Sequence, residues 1–156
     1  MSNEELEAPP LRKALDYRWD GVDLRLYKEE GAAPFRAVSR QTLFSDPRLA
    51  GELRYFEVAP GGYSTLERHE HMHAVMILRG EGEALVGDRV HKVAPRDLVT
   101  IPPWTWHQFR PGPGETLGFL CMVDAARDKP QLPTAEETNA LRKDAAVARF
   151  LDGAPG

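Results

Sequence analysis

The sequence has one cysteine, Cys121, so no disulfide can close within the chain. A lone thiol fits a reducing compartment. No apolar run is long enough to span a bilayer. The opening residues, MSNEELEAPP, are acidic and carry no apolar signal segment. The formal net charge is -4, so the basic footprint of a nucleic-acid binder is missing. Gly80-Glu81-Gly82 lies in a hairpin region with no helix after it, which speaks against dinucleotide binding. Ser39, Ser45 and Ser64 lack a nucleophile-elbow context, which speaks against acyl hydrolysis. What remains is a soluble, cytoplasmic protein whose partner is a small-molecule substrate, with no role for nucleic acid or membrane. At 156 residues it is one domain with short extensions.

Histidine is where the chemistry concentrates. In Gly61 to Gly82, GGYSTLERHEHMHAVMILRGEG, three histidines alternate at 69, 71 and 73, with Glu67 two residues upstream. In an extended chain these four side chains point the same way. The apolar run that follows argues for a buried strand rather than a solvated one.

The rest reads as short strands between glycine and proline. Residues 1–16 form a polar arm, in which Leu11 to Tyr17 is expected to make a short helical turn. Strands are expected over Val22 to Tyr27, Phe35 to Phe44, Leu53 to Ala59, Tyr63 to His69 and His73 to Leu78. Others follow over Glu83 to Val86, Arg89 to Val93, Leu98 to Ile101, His107 to Arg110 and Leu117 to Val123. Gly31 to Pro34 reads as a turn. Gly87-Asp88 is a two-residue hairpin loop. Many short strands without alternating helices predict an all-β sandwich or barrel over residues 17–125. In the extension, 126–156, Thr134 and Glu137 have capping-box spacing. Leu141, Ala145, Ala148 and Leu151 then recur near helical spacing, predicting one helix over about 135–151 packed outside the sheet.

Gly61, Glu67, His69, His73 and Gly80 keep every spacing of the first cupin motif, G-x5-H-x-H-x3,4-E-x6-G. Glu67 stands at its first histidine and His73 at its glutamate. The second motif, G-x5-P-x-G-x2-H-x3-N, falls on Arg96, Pro102, Trp104, His107 and Pro111, where only Pro102 and His107 keep the residue type. The sequence thus resembles the cupin family. The resemblance implies a jelly-roll barrel (a double-stranded β-helix) holding a metal on Glu67, His69, His73 and His107. A second register takes His69 and His71 as the histidine pair, anchored on Gly62. His71 is either a hairpin-tip auxiliary and catalytic base or the fourth ligand in place of Glu67.

Three imidazoles and a carboxylate suit a first-row divalent metal: manganese first, or iron, nickel, cobalt or zinc. Such a metal stabilises an enediolate formed from a hydroxy-ketone. Cys121, if it shares the inward face with Phe119 and Val123, approaches that metal as a second catalytic group. The blocks PGGYSTLERHEH, PPWTWHQFR and GFLCMV resemble small single-domain cupins. Some of these transfer a methylthio group from a methylthio-ketose phosphate to a thiol such as glutathione. That resemblance implies a phosphate partner, for which Arg36, Arg40, Arg54 and Arg110 stand as candidates. Dioxygenases, isomerases and non-catalytic binding modules share the family's fold. The exposed barrel faces and the arm suggest a homodimer.

Overall fold

The computed structural model describes residues 9–27 and 36–153. The expected turn at Gly31 to Pro34 and the first half of the expected arm lie outside them. Eleven strands are present among the described residues: β1 (Ala14–Leu15), β2 (Arg18–Trp19), β3 (Arg25–Leu26), β4 (Arg36–Phe44), β5 (Gly51–Tyr63), β6 (His73–Arg79), β7 (Gly82–Val86), β8 (Arg89–Val93), β9 (Leu98–Ile101), β10 (His107–Pro111) and β11 (Leu117–Asp124). All pairings are antiparallel. A six-stranded sheet runs β3-β4-β5-β11-β6-β9 and a three-stranded one β10-β7-β8. Their inner faces enclose a core that includes Val58, Val75, Ile77, Phe109 and Phe119. The expected double-sheet barrel is therefore present.

Four local expectations are corrected. Leu11 to Tyr17 is not helical. It enters the β1–β2 hairpin, whose loop residues Asp16 and Tyr17 both adopt positive φ. The hairpin lays Tyr17 and Trp19 over the Tyr55 ring. The strand expected over Val22 to Tyr27 shrinks to β3. Pro60-Gly61-Gly62 does not end the third strand, because β5 continues through it to Tyr63. The ladder is irregular there: the β4–β5 register shifts between Arg36 and Val38, and Gly61 has φ +78°. At such a bulge the missing proline N–H costs little. Beyond Tyr63 the chain makes two isolated bridges, Glu67 to His107 and Arg68 to Gln131, in place of the expected strand to His69.

The predicted single helix is two, α1 (Ala135–Leu141) and α2 (Ala145–Leu151). Thr134 and Glu137 form the expected capping box on α1. Asp144 ends the continuity because its carboxylate accepts from the Ala146 and Val147 amides and starts a new helix. Val147 and Phe150 of α2 then bury against Leu66 and Leu85, outside the smaller sheet.

Candidate metal centre

The hairpin of residues 67–73 delivers two imidazoles into the barrel, and β10 delivers a third. The Nε2 and Nδ1 ring atoms of His69, His73 and His107 offer one ligand atom each within 4.8 Å of one another. His69 and His107 are buried. His69 Nδ1 lies 2.6 Å from the His71 carbonyl, and His107 Nδ1 lies 3.0 Å from the Thr105 carbonyl. Each Nδ1–H donates to its carbonyl, which fixes the tautomer and leaves Nε2 with a free lone pair. His69 Nε2 and His73 Nε2 are 2.9 Å apart. His73 Nδ1 faces the Cys121 sulfur at 2.9 Å. With all groups neutral, one proton arrangement satisfies both contacts: His73 Nε2–H donates to His69, and the Cys121 thiol donates to His73 Nδ1.

Burial keeps these rings neutral. Desolvation, reinforced by the neighbouring imidazoles, holds His73 far below the usual imidazole value and brings His107 to about 4. His69 is lowered too, again chiefly by burial. Neutral imidazoles whose lone pairs converge are what a borderline divalent cation requires. The donor set therefore fits such a metal.

Glu67 stands beside this group, its carboxylate 3.9 Å from His107 Nε2. Burial pushes its carboxyl up to about 7, against a pull down from Arg54. His71 takes a separate position. Its ring stacks on His69 with centroids 3.7 Å apart, and its Nδ1 is 2.6 Å from Asp128 Oδ1. Asp128 also accepts from the Glu70 and His71 amides. These bonds, the Glu70 amide first, hold its carboxyl below the usual carboxylate range.

Cys121 is buried on the inner face with Phe119 and Val123. Burial raises its thiol, while Arg54 pulls the other way. All of these groups line one cavity of about 260 Å³. Of the four candidate phosphate partners, Arg54 lines it directly. Arg40 lies over Tyr27, whose ring is part of the wall. Arg110 instead serves a separate groove of about 750 Å³ that contains none of these histidines. Arg36 is exposed.

Two wall residues, Arg127 and Asp128, escaped the sequence reading. They lie in the segment after β11, where the only signal is a charged run, Arg127-Asp128-Lys129. Trp104 is exposed and packs no core, but its amide donates to the His69 carbonyl at 2.8 Å. Trp106 packs beneath Arg68 and beside the α2 cluster.

Comparison with known proteins agrees with this architecture. A cupin domain model matches residues 54–123. Over 155 residues the chain is 63% identical to the 1-methylthio-D-xylulose 5-phosphate methylsulfurylase of Rhodospirillum rubrum, covering 99% of this chain and 98% of that one. The chain is a cupin. Two crystal structures resemble this cupin throughout. One is a cupin-2 domain protein from Rhodospirillum rubrum, 64% identical, with TM-score 0.86 over 96% of this chain and 99% of that one. The other is a cupin 2 conserved barrel domain protein from Rhodopseudomonas palustris, 61% identical, with TM-score 0.86 over 90% and 97%. No helix among the described residues is long and apolar enough to cross a membrane.

Proposed function

We propose that this cupin transfers the methylthio group of a 1-methylthio-ketose phosphate, 1-methylthio-D-xylulose 5-phosphate, to a thiol such as glutathione. The observation that carries the reading is the Cys121 sulfur, 2.9 Å from a ring nitrogen of His73 inside the three-histidine cavity. The name of the 63% identical relative supports the substrate.

His69, His73 and His107 would hold a divalent metal, manganese first, with Glu67 as fourth ligand. When bound, the metal supplies a Lewis acid that polarises the ketose carbonyl and acidifies the adjacent C–H. His71 stays outside the ligand set because the ring nitrogens that converge are those of His69, His73 and His107; Asp128 holds its Nδ1. Its Nε2 is free to take the proton from that carbon. With His73 Nε2 engaged, Nδ1 carries the ring proton and donates to the Cys121 sulfur, favouring the thiolate.

The Cys121 thiolate attacks the methylthio sulfur. The C1–S bond breaks, and its electron pair remains on C1, which takes back the proton held by His71; a solvent proton at the carbon that lost it then restores the methyl ketone. The carbon is reduced, and Cys121 is oxidised to a methyl disulfide. A glutathione thiolate then attacks the methyl-bearing sulfur, releasing the Cys121 thiolate and a methyl glutathione disulfide.

The test is mass spectrometry of the metal-loaded protein after substrate is added without a thiol. The proposal expects a methylthio adduct on Cys121 that glutathione removes. Oxygen-dependent turnover that survives Cys121→Ser would replace this reading with a dioxygenase. Ligand binding without turnover would leave a non-catalytic module.

A further inference from the structure

Arg54 is a cation in an apolar wall. It sits on β5 directly opposite Cys121 of β11 in the sheet register. Opposite residues of an antiparallel pair share a face, so its side chain enters the barrel with the thiol. That side chain is 9% exposed, and its Nε has no hydrogen-bond partner among the described residues. The guanidinium lies over the Phe56 ring at 5.0 Å.

Its nearest carboxylate, Glu52, is 3.7 Å away and already committed to Arg127 at 2.6 Å. Arg40 lies close enough to repel Arg54, as does Arg127. Asp128 is committed to His71, and Glu67 faces the histidines. Two guanidiniums, Arg54 and Arg127, thus share the Glu52 carboxylate, with the charge of Arg40 nearby. A buried cation whose Nε lacks a hydrogen-bond partner and whose carboxylate is shared keeps part of its desolvation cost, and a bound anion offsets that cost.

We propose that Arg54, with Arg127 at its side, is the subsite that takes the phosphoryl group of the substrate in the barrel cavity. The proposal rests on the methylthio-ketose phosphate reading and deepens it. In a cis-enediol the two oxygens lie on one side and the two carbon substituents on the other. The C1 sulfur and the C5 phosphoryl group therefore leave toward the same wall, and Cys121 and Arg54 are cross-strand neighbours there. The guanidinium fork suits a phosphate monoester, which it binds through two parallel hydrogen bonds.

The test uses inorganic phosphate as the probe, by calorimetry on the folded protein, beside steady-state kinetics on 1-methylthio-xylulose with and without its 5-phosphate. Arg54→Gln and Arg127→Gln are each expected to weaken phosphate binding and raise KM for the phosphorylated ketose by about 10- to 100-fold. KM for the unphosphorylated ketose should change little, so the preference between the two collapses. Arg54→Lys should recover part of the loss. If Arg54→Gln does not fold, Arg54→Lys and Arg127→Gln decide. Acetate binding as tightly as phosphate would overturn the phosphoryl assignment. So would an unchanged preference in both variants, since a merely structural arginine lowers stability without touching it. Arg54-dependent phosphate binding without methylthio-ketose turnover would sink the reaction and leave the subsite. Turnover with an unchanged preference would sink the subsite and leave the reaction.

Discussion

Glu67 and the buried histidines set the pH response of the metal-free protein in opposite directions. A carboxyl raised to about 7 from 4.5 binds its proton more tightly when folded. Its contribution to stability is therefore present below pH 4.5 and is lost as pH rises through 7. His107, lowered from 6.5 to about 4, behaves the other way: its contribution is present above 6.5 and is lost as pH falls toward 4. Urea unfolding with a chelator present is expected to show losses on both sides. Glu67→Gln should remove the loss between pH 4.5 and 7, a gain on the order of 2 kcal/mol at neutral pH. Asp128 carries a different expectation. It fixes the His71 ring and is hydrogen-bonded to none of the three histidines that could hold a metal. Asp128→Asn should lower kcat/KM by about 10- to 100-fold, with metal content measured by elemental analysis unchanged. Among single residues, the convergence of His69, His73 and His107 was legible from the cupin motif spacing, although residues 67–73 form a hairpin and not the extended chain that the alternation suggests. Asp128 was not legible, since nothing in its own neighbourhood shows which distant turn it caps.

At the scale of elements, two motif positions kept their backbone after losing their glycine. Arg96 and Trp104 stand where the second cupin motif has glycine, and they adopt φ +78° and +55°. Left-handed backbone costs roughly 1 kcal/mol in a residue with a Cβ. Arg96 is exposed, so Arg96→Gly is expected to stabilise the protein by about 0.5–1 kcal/mol, read from the urea midpoint at constant slope. At Gly80 the first motif has no such latitude. Its φ is +72°, and an added Cβ would meet the Thr116 carbonyl oxygen at 2.0 Å. Strand positions were readable wherever two-residue alternation met a real turn. They failed at Pro60-Gly61-Gly62, which reads as a stop but is a bulge carrying β5 onward. The tail failed for a related reason. Helical spacing from Leu141 to Leu151 survives the interruption, and Asp144 acts as a cap rather than as a passing polar residue.

For the whole molecule, the barrel's task is to bring β10 back against the 67–73 hairpin, 34 or more residues away in sequence. The Glu67–His107 bridge and the Ser64 bonds to Gln108 and Phe109 fix that meeting. Motif spacing made the convergence readable in advance. The cavity's charge balance was not readable, because it depends on Glu52 and Arg127 meeting across the β5 and β11 ends. A metal bound only by the folded protein raises its stability by mass action. Manganese at about a hundredfold over its dissociation constant should raise Tm by roughly 5–10 °C, with no shift in His73→Ala.

The central claim is that the three-histidine centre and Cys121 act as one unit on a methylthio-ketose phosphate. The most direct measurement incubates the manganese-loaded protein with 1-methylthio-D-xylulose 5-phosphate in the absence of thiol and follows Cys121 by peptide mass spectrometry. The account predicts a methyl disulfide on Cys121 that forms only with metal present and disappears on adding glutathione, with 1-deoxyketose phosphate released in equal amount. Deoxyketose phosphate formed at an undiminished rate by Cys121→Ser would contradict it.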